Sequence, residues 1–291
     1  MTSQRGSVGF LFCLPGIVLL FAMLLGPFLM AFGLSFTNVR LASPLPVRFV
    51  GIENYVAILN SSSFWQSLSN NLYFTAVVVP VQTAFALWLA VLVNRRLRGV
   101  VVFRAIYFSP VVVVMTVAAT VWLLLFNPDR GLINGFLRAI SGGYLESEWL
   151  QSTTMAMPAI MIMSVWQGVG FQMIIILAAL QDIPTELYET ADIDGATRRQ
   201  QFFSITLPQL RNTLIFVATV TMILAFRLFD QVWVTTRGGP RGATRTMMIE
   251  MVTVGYEQQM ISRGSTVAVI FFLIVVAITV IQRTLIREEE Q

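Results

Sequence analysis

Apolar side chains along this chain gather into six long runs, at roughly 9–34, 72–93, 105–126, 155–180, 213–234 and 265–283. A helix crosses the hydrocarbon of a bilayer with about 20 such residues. A barrel strand needs only about 9–11 residues with alternating character. These runs are longer and do not alternate, so the pattern predicts helices that span a membrane. The first run is about twice as long as the apolar part of a secretory signal, and five more follow, so it reads as a retained helix.

The segments between the runs are polar but ordered in character. Residues 52–71 carry Tyr55, Ile58, Leu59, Phe64, Trp65 and Leu68 among polar neighbours, which predicts short amphipathic helices at the membrane surface. Trp65, Tyr73, Trp122, Trp149 and Trp233 fall near run ends, where aromatic rings anchor a helix at the interface. The sequence carries no internal repeat, and no connecting segment is long enough for a second domain. The expected organisation is a single all-α, polytopic transmembrane domain over 1–291, with one enlarged loop at 181–211.

Arginine placement orients the spans. Arg5, Arg95, Arg96, Arg98, Arg104, Arg198, Arg199, Arg211, Arg283 and Arg287 lie in the two termini and in 94–104 and 181–212, about 60 residues together. The alternate segments hold eight arginines in about 95 residues, four of them in 235–264. The denser set is expected on the cytoplasmic side, with both termini there.

Composition supports the same class. Of 291 residues, 56% are hydrophobic and 12% charged, about half the charge of a soluble domain. There is no histidine, one cysteine (Cys13), and all 19 basic residues are arginine. Histidine catalysis, a cysteine metal cluster, a Schiff-base lysine and a lysine-bearing phosphate loop are therefore excluded within the chain. The formal charge of +4 does not point to nucleic acid, because the arginines sit beside apolar runs as topology signals do. A polytopic membrane enzyme is disfavoured for the same reasons: Asp129, Asp192 and Asp194 form no paired carboxylate constellation.

Segment 181–211, QDIPTELYETADIDGATRRQQFFSITLPQLR, is longer than a connector needs. It reads as two short helices and a turn. Pro184 and Thr185 open the first, with Thr185 the expected N-cap and Glu186 and Glu189 in its first turns. Gly195 is placed to take the positive φ of a tight turn. The second helix is expected over about 197–206, with Phe202, Phe203, Ile205 and Leu207 giving an apolar side and Arg198 and Arg199 a charged one. Pro208 then begins the return to the membrane. Such an element suits a groove on another protein or the membrane surface.

Glu189-Thr190-Ala191, three residues, Gly195, nine residues, then Ile205-Thr206-Leu207-Pro208 resembles the EAA loop of bacterial ABC-importer permeases. Thr190 departs from the motif's alanine but stays small. Ile183-Pro184 and Asp194-Gly195-Ala196 resemble the carbohydrate-uptake branch, of maltose and glycerol-3-phosphate type. Phe49 through Tyr55, Phe64-Trp65, Phe103-Arg104-Ala105, Phe108-Ser109-Pro110, Asn127-Pro128, Gly131 through Asn134, Phe229-Asp230 and Thr236 through Pro240 resemble further stretches of that family in order. The resemblance implies a type I importer permease with six helices in a bacterial or archaeal inner membrane. It implies that Glu189, Thr190, Ala191, Asp194, Gly195, Ile205, Leu207 and Pro208 form a coupling element seated on a cytoplasmic ATPase. The implied partners are a second, homologous permease, two ATPase subunits that hold ATP and magnesium, and an external binding protein that delivers a carbohydrate. No cofactor is expected in this chain.

Polar groups inside spans are costly, so each marks a site. Ser164, Gln167, Gly168, Phe171 and Gln172 share the fourth run, and the first four fall on one helical face. Amides beside an aromatic ring suit a sugar, while helix–helix hydrogen bonds are the structural alternative. The resemblance places a solute path along Gly168, Phe171, Thr221, Ala225 and Leu228, to which Gln167 and Gln172 are added from the residues. Arg227 and Asp230, at i and i+3, are placed to neutralise each other or to contact the partner permease. An arginine there would otherwise suit a phosphorylated substrate such as a glycerol phosphodiester. Gly238-Gly239-Pro240 predicts a tight turn, either a plain connector or part of an outer gate. Polar faces on the fourth and fifth runs need a facing surface, which again implies a paired permease.

Overall fold

A computed structural model describes residues 12–44, 46–94, 99–144 and 146–288. Arg5, Arg95, Arg96, Arg98 and residues 9–11 of the first run lie outside the described residues, as do the side chains of Arg283 and Arg287. The described chain is helical. In order, α1 is Phe12–Ser35, α2 Glu53–Leu59, α3 Ser62–Val93, α4 Val100–Val112, α5 Met115–Leu125, α6 Leu132–Ser141 and α7 Ala156–Gln181. Then come α8 Thr185–Ile193, α9 Arg198–Gln201, α10 Arg211–Phe226, α11 Asp230–Thr235, α12 Met247–Val252 and α13 Ile261–Glu288. Single π turns interrupt α1 at Phe21–Leu25 and follow α9 at Phe202–Thr206 and α12 at Thr253–Glu257.

Among the described residues, five helical stretches are long and apolar enough to cross a bilayer: α1, α3, α7, Arg211–Thr235 and Ile261–Gln282. The sixth run is present but broken. α4 and α5 meet at 101°, not as the single helix expected over 105–126. Two local features cause the break. Pro110 has no N–H for a helical bond, and the Ser109 hydroxyl donates to the Ile106 carbonyl at 2.9 Å instead. Val113 and Val114 then turn extended, at ψ 128° and 133°. The remaining spans also depart from the sequence reading at their ends. Residues 62–71 are not a separate surface helix. They form the first third of α3, whose 32 residues rise about 48 Å.

The chain divides into two compact units, residues 1–65 with 250–291, and residues 66–249. In the first, α13 packs on α1, with Phe28 and Phe272 rings 4.5 Å apart. Beyond α1 the chain is tied by buried polar groups. Asn54 donates to the carbonyls of Ser35 (2.9 Å) and Thr37 (2.7 Å), and Thr37 and Ser262 share a 2.9 Å hydroxyl bond. Glycine allows one close crossing: a Cβ on Gly264 would lie 2.6 Å from the Cα of Gly255.

In the second unit α7 is the central helix, half of its most apolar window being buried. One side packs Met173, Ile176, Leu177 and Leu180 against Ala86, Leu89, Ala90 and Val93 of α3. Another packs Met157, Ile160 and Met161 against Phe74 and Val78 of α3, and Ala225 and Leu228 at the end of α10. α4 crosses α7 at Gly170, where a Cβ would strike the Tyr107 carbonyl and lie 3.0 Å from the Cα of Phe108. Small residues permit this approach between membrane helices. The polar start of α3 also has a purpose in this unit. Asn70 donates to the carbonyls of Gly242 and Arg245, both at 2.8 Å, and Asn71 Oδ1 accepts from the Met247 N–H at 2.8 Å. These side chains pin the loop after α11, whose tight turn runs through Gly238 at φ +88° and Gly242 at φ +78°.

Candidate functional site

The loop at 181–211 is held by local bonds that the sequence dictates. α8 ends in a glycine-closed Schellman turn: the Gly195 N–H donates to Asp192 O at 3.2 Å and the Ala196 N–H to Ala191 O at 2.9 Å. Gly195 takes φ +76°, and a Cβ there would meet no atom within 4 Å, so conformation alone asks for glycine. Asp194 is the C-cap before it. The N-terminal expectation needs correction. Pro184 is the N-cap of α8, and Thr185 is the first helical residue with no capping bond. The side-chain cap belongs to the next helix. Thr197 and Gln200 form a reciprocal capping box, a Thr-x-x-Gln signal that was legible in the sequence. The two helices are tied by Tyr188 to Thr206 at 2.9 Å and by Gln201 donating to Asp192. The second helix continues past Thr206 into one further turn, Leu207–Gln209, with Pro208 near the start of that turn.

This framework leaves a surface unused. α8 buries none of its residues among those described, and Ile193 is 86% exposed. Glu189 and Thr190 are also exposed, while Ala191, Ile205 and Leu207 are half-buried. A short helix with an open acidic and apolar side has the chemistry that suits a groove on another protein.

The seven residues expected along a solute path come together in two adjoining cavities of the second unit. One, of about 220 Å³, is lined by Gln167, Gly168, Phe171, Gln172 and Thr221, with Val111 of α4 and Val217 of α10. The other, of about 330 Å³, is lined by Gln167, Gly168, Thr221, Ala225 and Leu228, with Ser164, Arg227, Asp230 and Gln231. Gln82 of α3, Gln167, Gly168, Thr221 and Leu224 line both. The cavities therefore follow one another along α7, from Ser164 at one end to Ile175 at the other.

Polar partners fix several of these groups. Gln167 Nε2 donates to the Val113 carbonyl at 3.0 Å, the carbonyl left by the α4–α5 break. Gln172 Nε2 donates to Thr221 Oγ1, and Gln231 Nε2 to Ser164 Oγ at 3.0 Å. Gln172 Oε1 is buried without a partner among the described residues. Phe171 is 43% exposed and presents its ring beside the amides.

Residues 55–288 match the model of one protein family, the binding-protein-dependent transport system inner membrane component. The chain belongs to that family. The trehalose/maltose transport system permease protein MalF of Thermococcus litoralis is 34% identical over 279 residues, covering 96% of this chain and 93% of MalF. The sn-glycerol-3-phosphate transport system permease protein UgpA of Yersinia enterocolitica is 32% identical, covering 84% of this chain and 83% of UgpA. In three dimensions, a chain of a bacterial alginate ABC transporter, crystallised with its alginate-bound periplasmic protein, overlays with a TM-score of 0.84. It is 19% identical and covers 98% of this chain and 96% of its own length, which establishes the shared fold. The protein is thus a multi-pass ABC-transporter permease, a transport subunit with the importer fold.

One expectation about this permease fails. Arg227 and Asp230 do not neutralise each other. Among the described residues no ion pair joins the two, whereas Arg138 and Glu146 pair at 3.7 Å. The i, i+3 geometry is missing because α10 ends at Phe226, Arg227 is its C-cap, and Phe229 turns to φ −140°, ψ −62° before α11 begins at Asp230. Both side chains are exposed and line the larger cavity. The cavity-lining residue that sequence reasoning missed is Gln82. It lies inside the apolar run 72–93, and its signal was a lone amide in the middle of that run.

Proposed function

We propose that this permease imports a carbohydrate, driven by ATP that two partner ATPases bind and hydrolyse with magnesium. The carrying observation is the loop at 181–211: a helix locked at its C-terminal end, tied to its neighbour and packed on the core through Tyr188, with no fully buried residue and most of its surface open. That open surface is what a second protein would cover. Glu189, Ala191, Asp194, Gly195, Ile205, Leu207 and Pro208 are the coupling residues, with Thr190 bonded back to Glu186 O at 2.8 Å. ATPase closure is transmitted through this element and rocks the paired permeases from one access state to the other. The two compact units act together as one permease domain, with no cofactor of its own.

Carbohydrate is favoured by the lining of the cavities. Gln82, Gln167, Gln172 and Gln231 offer planar donors and acceptors for hydroxyls, and Phe171 a face for a ring. The trehalose/maltose relative agrees. A second permease supplies the facing wall, and an external binding protein delivers the solute. Both termini and the coupling loop lie in the cytoplasm. A glycerol phosphate ester is the second reading, supported by the unpaired Arg227 in the larger cavity and by the UgpA relative.

The test is copurification. The chain should elute with a second permease and two ATPases, and ATP hydrolysis should rise when the solute-loaded binding protein is added. Mass spectrometry of solute released from that binding protein separates sugar from phosphate ester. Cysteine placed at Ser141 should label from outside and at Thr197 only from inside. A transport-active chain without ATPase partners would overturn the reading.

A further inference from the structure

Gln82 is 6% exposed. Its amide has no hydrogen-bond partner among the described residues, and its nitrogen and oxygen face open cavity and are not sealed in the packing. Its position explains why the group is left free. Gln82 lines both cavities, and it lies where one passes into the other, with Gln167, Gly168 and Thr221 around the same waist. Gly168 is shaped by it: a Cβ there would strike Gln82 Nε2 and lie 3.0 Å from Cδ and 3.1 Å from Oε1. The glycine therefore leaves room for the amide to lie across the passage. The other amides at the waist are committed, Gln167 to the Val113 carbonyl and Gln172 Nε2 to Thr221. Gln82 is the waist amide with neither its nitrogen nor its oxygen committed to a partner among the described residues.

We propose that Gln82 is a solute-positioning residue, which exchanges hydrogen bonds with a polyhydroxylated solute as it passes between the two cavities. The proposal rests on the import reading above and adds a named contact from α3. A primary amide donates and accepts at once, so it can follow successive hydroxyls without change of charge. Water would occupy the site between solutes, so the group is satisfied in transit and at rest.

The test uses the full complex in proteoliposomes. In a Cys13→Ser background, Gln82→Cys is probed with the polar thiol reagent methanethiosulfonate ethylsulfonate. It should label, at rates differing at least tenfold between the nucleotide-free and vanadate-trapped complexes. Ala86→Cys, one turn further on and fully buried in the core, should stay unlabelled. Gln82→Met keeps the volume, and should assemble normally while lowering uptake of radiolabelled trehalose at least tenfold. Gly168→Ala should lower uptake through the same group, so the double variant should be no worse than Gln82→Met alone. Absence of Gln82→Cys labelling in both states, or full uptake by Gln82→Met, overturns the proposal. Failure of Gln82→Met to assemble also overturns it, since the amide would then be a folding contact. If the unaltered complex takes up no trehalose, the neutral-sugar reading falls, and the labelling arm still decides the role of Gln82.

Discussion

The loop at 181–211, proposed as the coupling element, and the cavities proposed as the transport path are built in opposite ways. The loop is closed by bonds between near neighbours, with Tyr188–Thr206 its longest side-chain link at 18 residues. The path is closed by bonds between distant elements: Gln167 to Val113 across 54 residues, Gln172 to Thr221 across 49, Gln231 to Ser164 across 67. Local closure makes a piece that keeps its shape when pushed. Distant closure makes a piece whose bonds must be exchanged whenever helices move. A transporter needs both, a stiff part that receives force and a part that can rearrange around the solute.

The sharpest way to break the path without touching the loop is Gly170→Ala. The new methyl would collide with the backbone of Tyr107 and Phe108, which cannot step aside as a side chain can. Overpacking of this kind costs about 3 kcal/mol or above where backbone must move. The expected outcome is loss of folded protein, read as yield and thermal stability in mild detergent. Gly168→Ala is the matched control, because its neighbour is the flexible end of Gln82, and its yield should be normal.

The matching break in the loop is Gly195→Val. Its cost, about 1–3 kcal/mol, comes from the positive φ and not from contacts, since a Cβ at that position meets open space. The protein should reach the membrane and pair normally, while binding-protein-stimulated ATP hydrolysis and uptake fall at least tenfold. Gly195→Asn, which tolerates the left-handed region, should keep most of both. Full uptake by Gly195→Val would show that the turn does not transmit force.

Smaller changes sharpen the contrast. Gln167→Leu removes the donor from the Val113 carbonyl, an exposed bond whose loss costs about 0.5–1.5 kcal/mol. The effect should appear as faster hydrogen exchange of α4 and α5 around the break. Thr197→Ala removes one half of the capping box, worth about 1 kcal/mol. Exchange should rise only over Arg198–Thr206, with coupling weakened and not abolished.

The same division governs what the sequence could reveal. Gly195 and the short helices either side of it were legible because the residues that close the loop are its own neighbours, while the return comes after Gln209 and not at Pro208. The capping box was equally legible at Thr197–Gln200, though Thr185 was taken as the cap. Six apolar runs located the spans because burial in lipid leaves its mark on every residue. Breaks within spans were not legible. Pro110 hinted at one, but Pro80 lies within α3 without ending it, so proline alone does not decide. What distinguishes 113–114 is an acceptor satisfied by Gln167, 54 residues away. The role of Asn70 and Asn71 was hidden for the same reason: their partners are in the loop after α11.

The smallest expected effect tests the corrected pair. As neighbours on one unbroken helix, Arg227 and Asp230 would form a buried pair, and losing either partner would cost about 3–5 kcal/mol. The break after Phe226 removes that geometry, and both groups are exposed on the cavity wall without an ion pair between them. Arg227→Gln and Asp230→Asn should therefore each copurify with the partner permease in normal yield, and the double variant should gain nothing over either single one. Their effect should fall on the solute. If a phosphate ester is carried, Arg227→Gln should lower uptake of radiolabelled glycerol-3-phosphate and leave a neutral sugar unaffected. Loss of the partner permease from Asp230→Asn, restored by adding Arg227→Gln, would mean that the charges meet when the permeases pair, and that the distant closure of the path extends across the two chains.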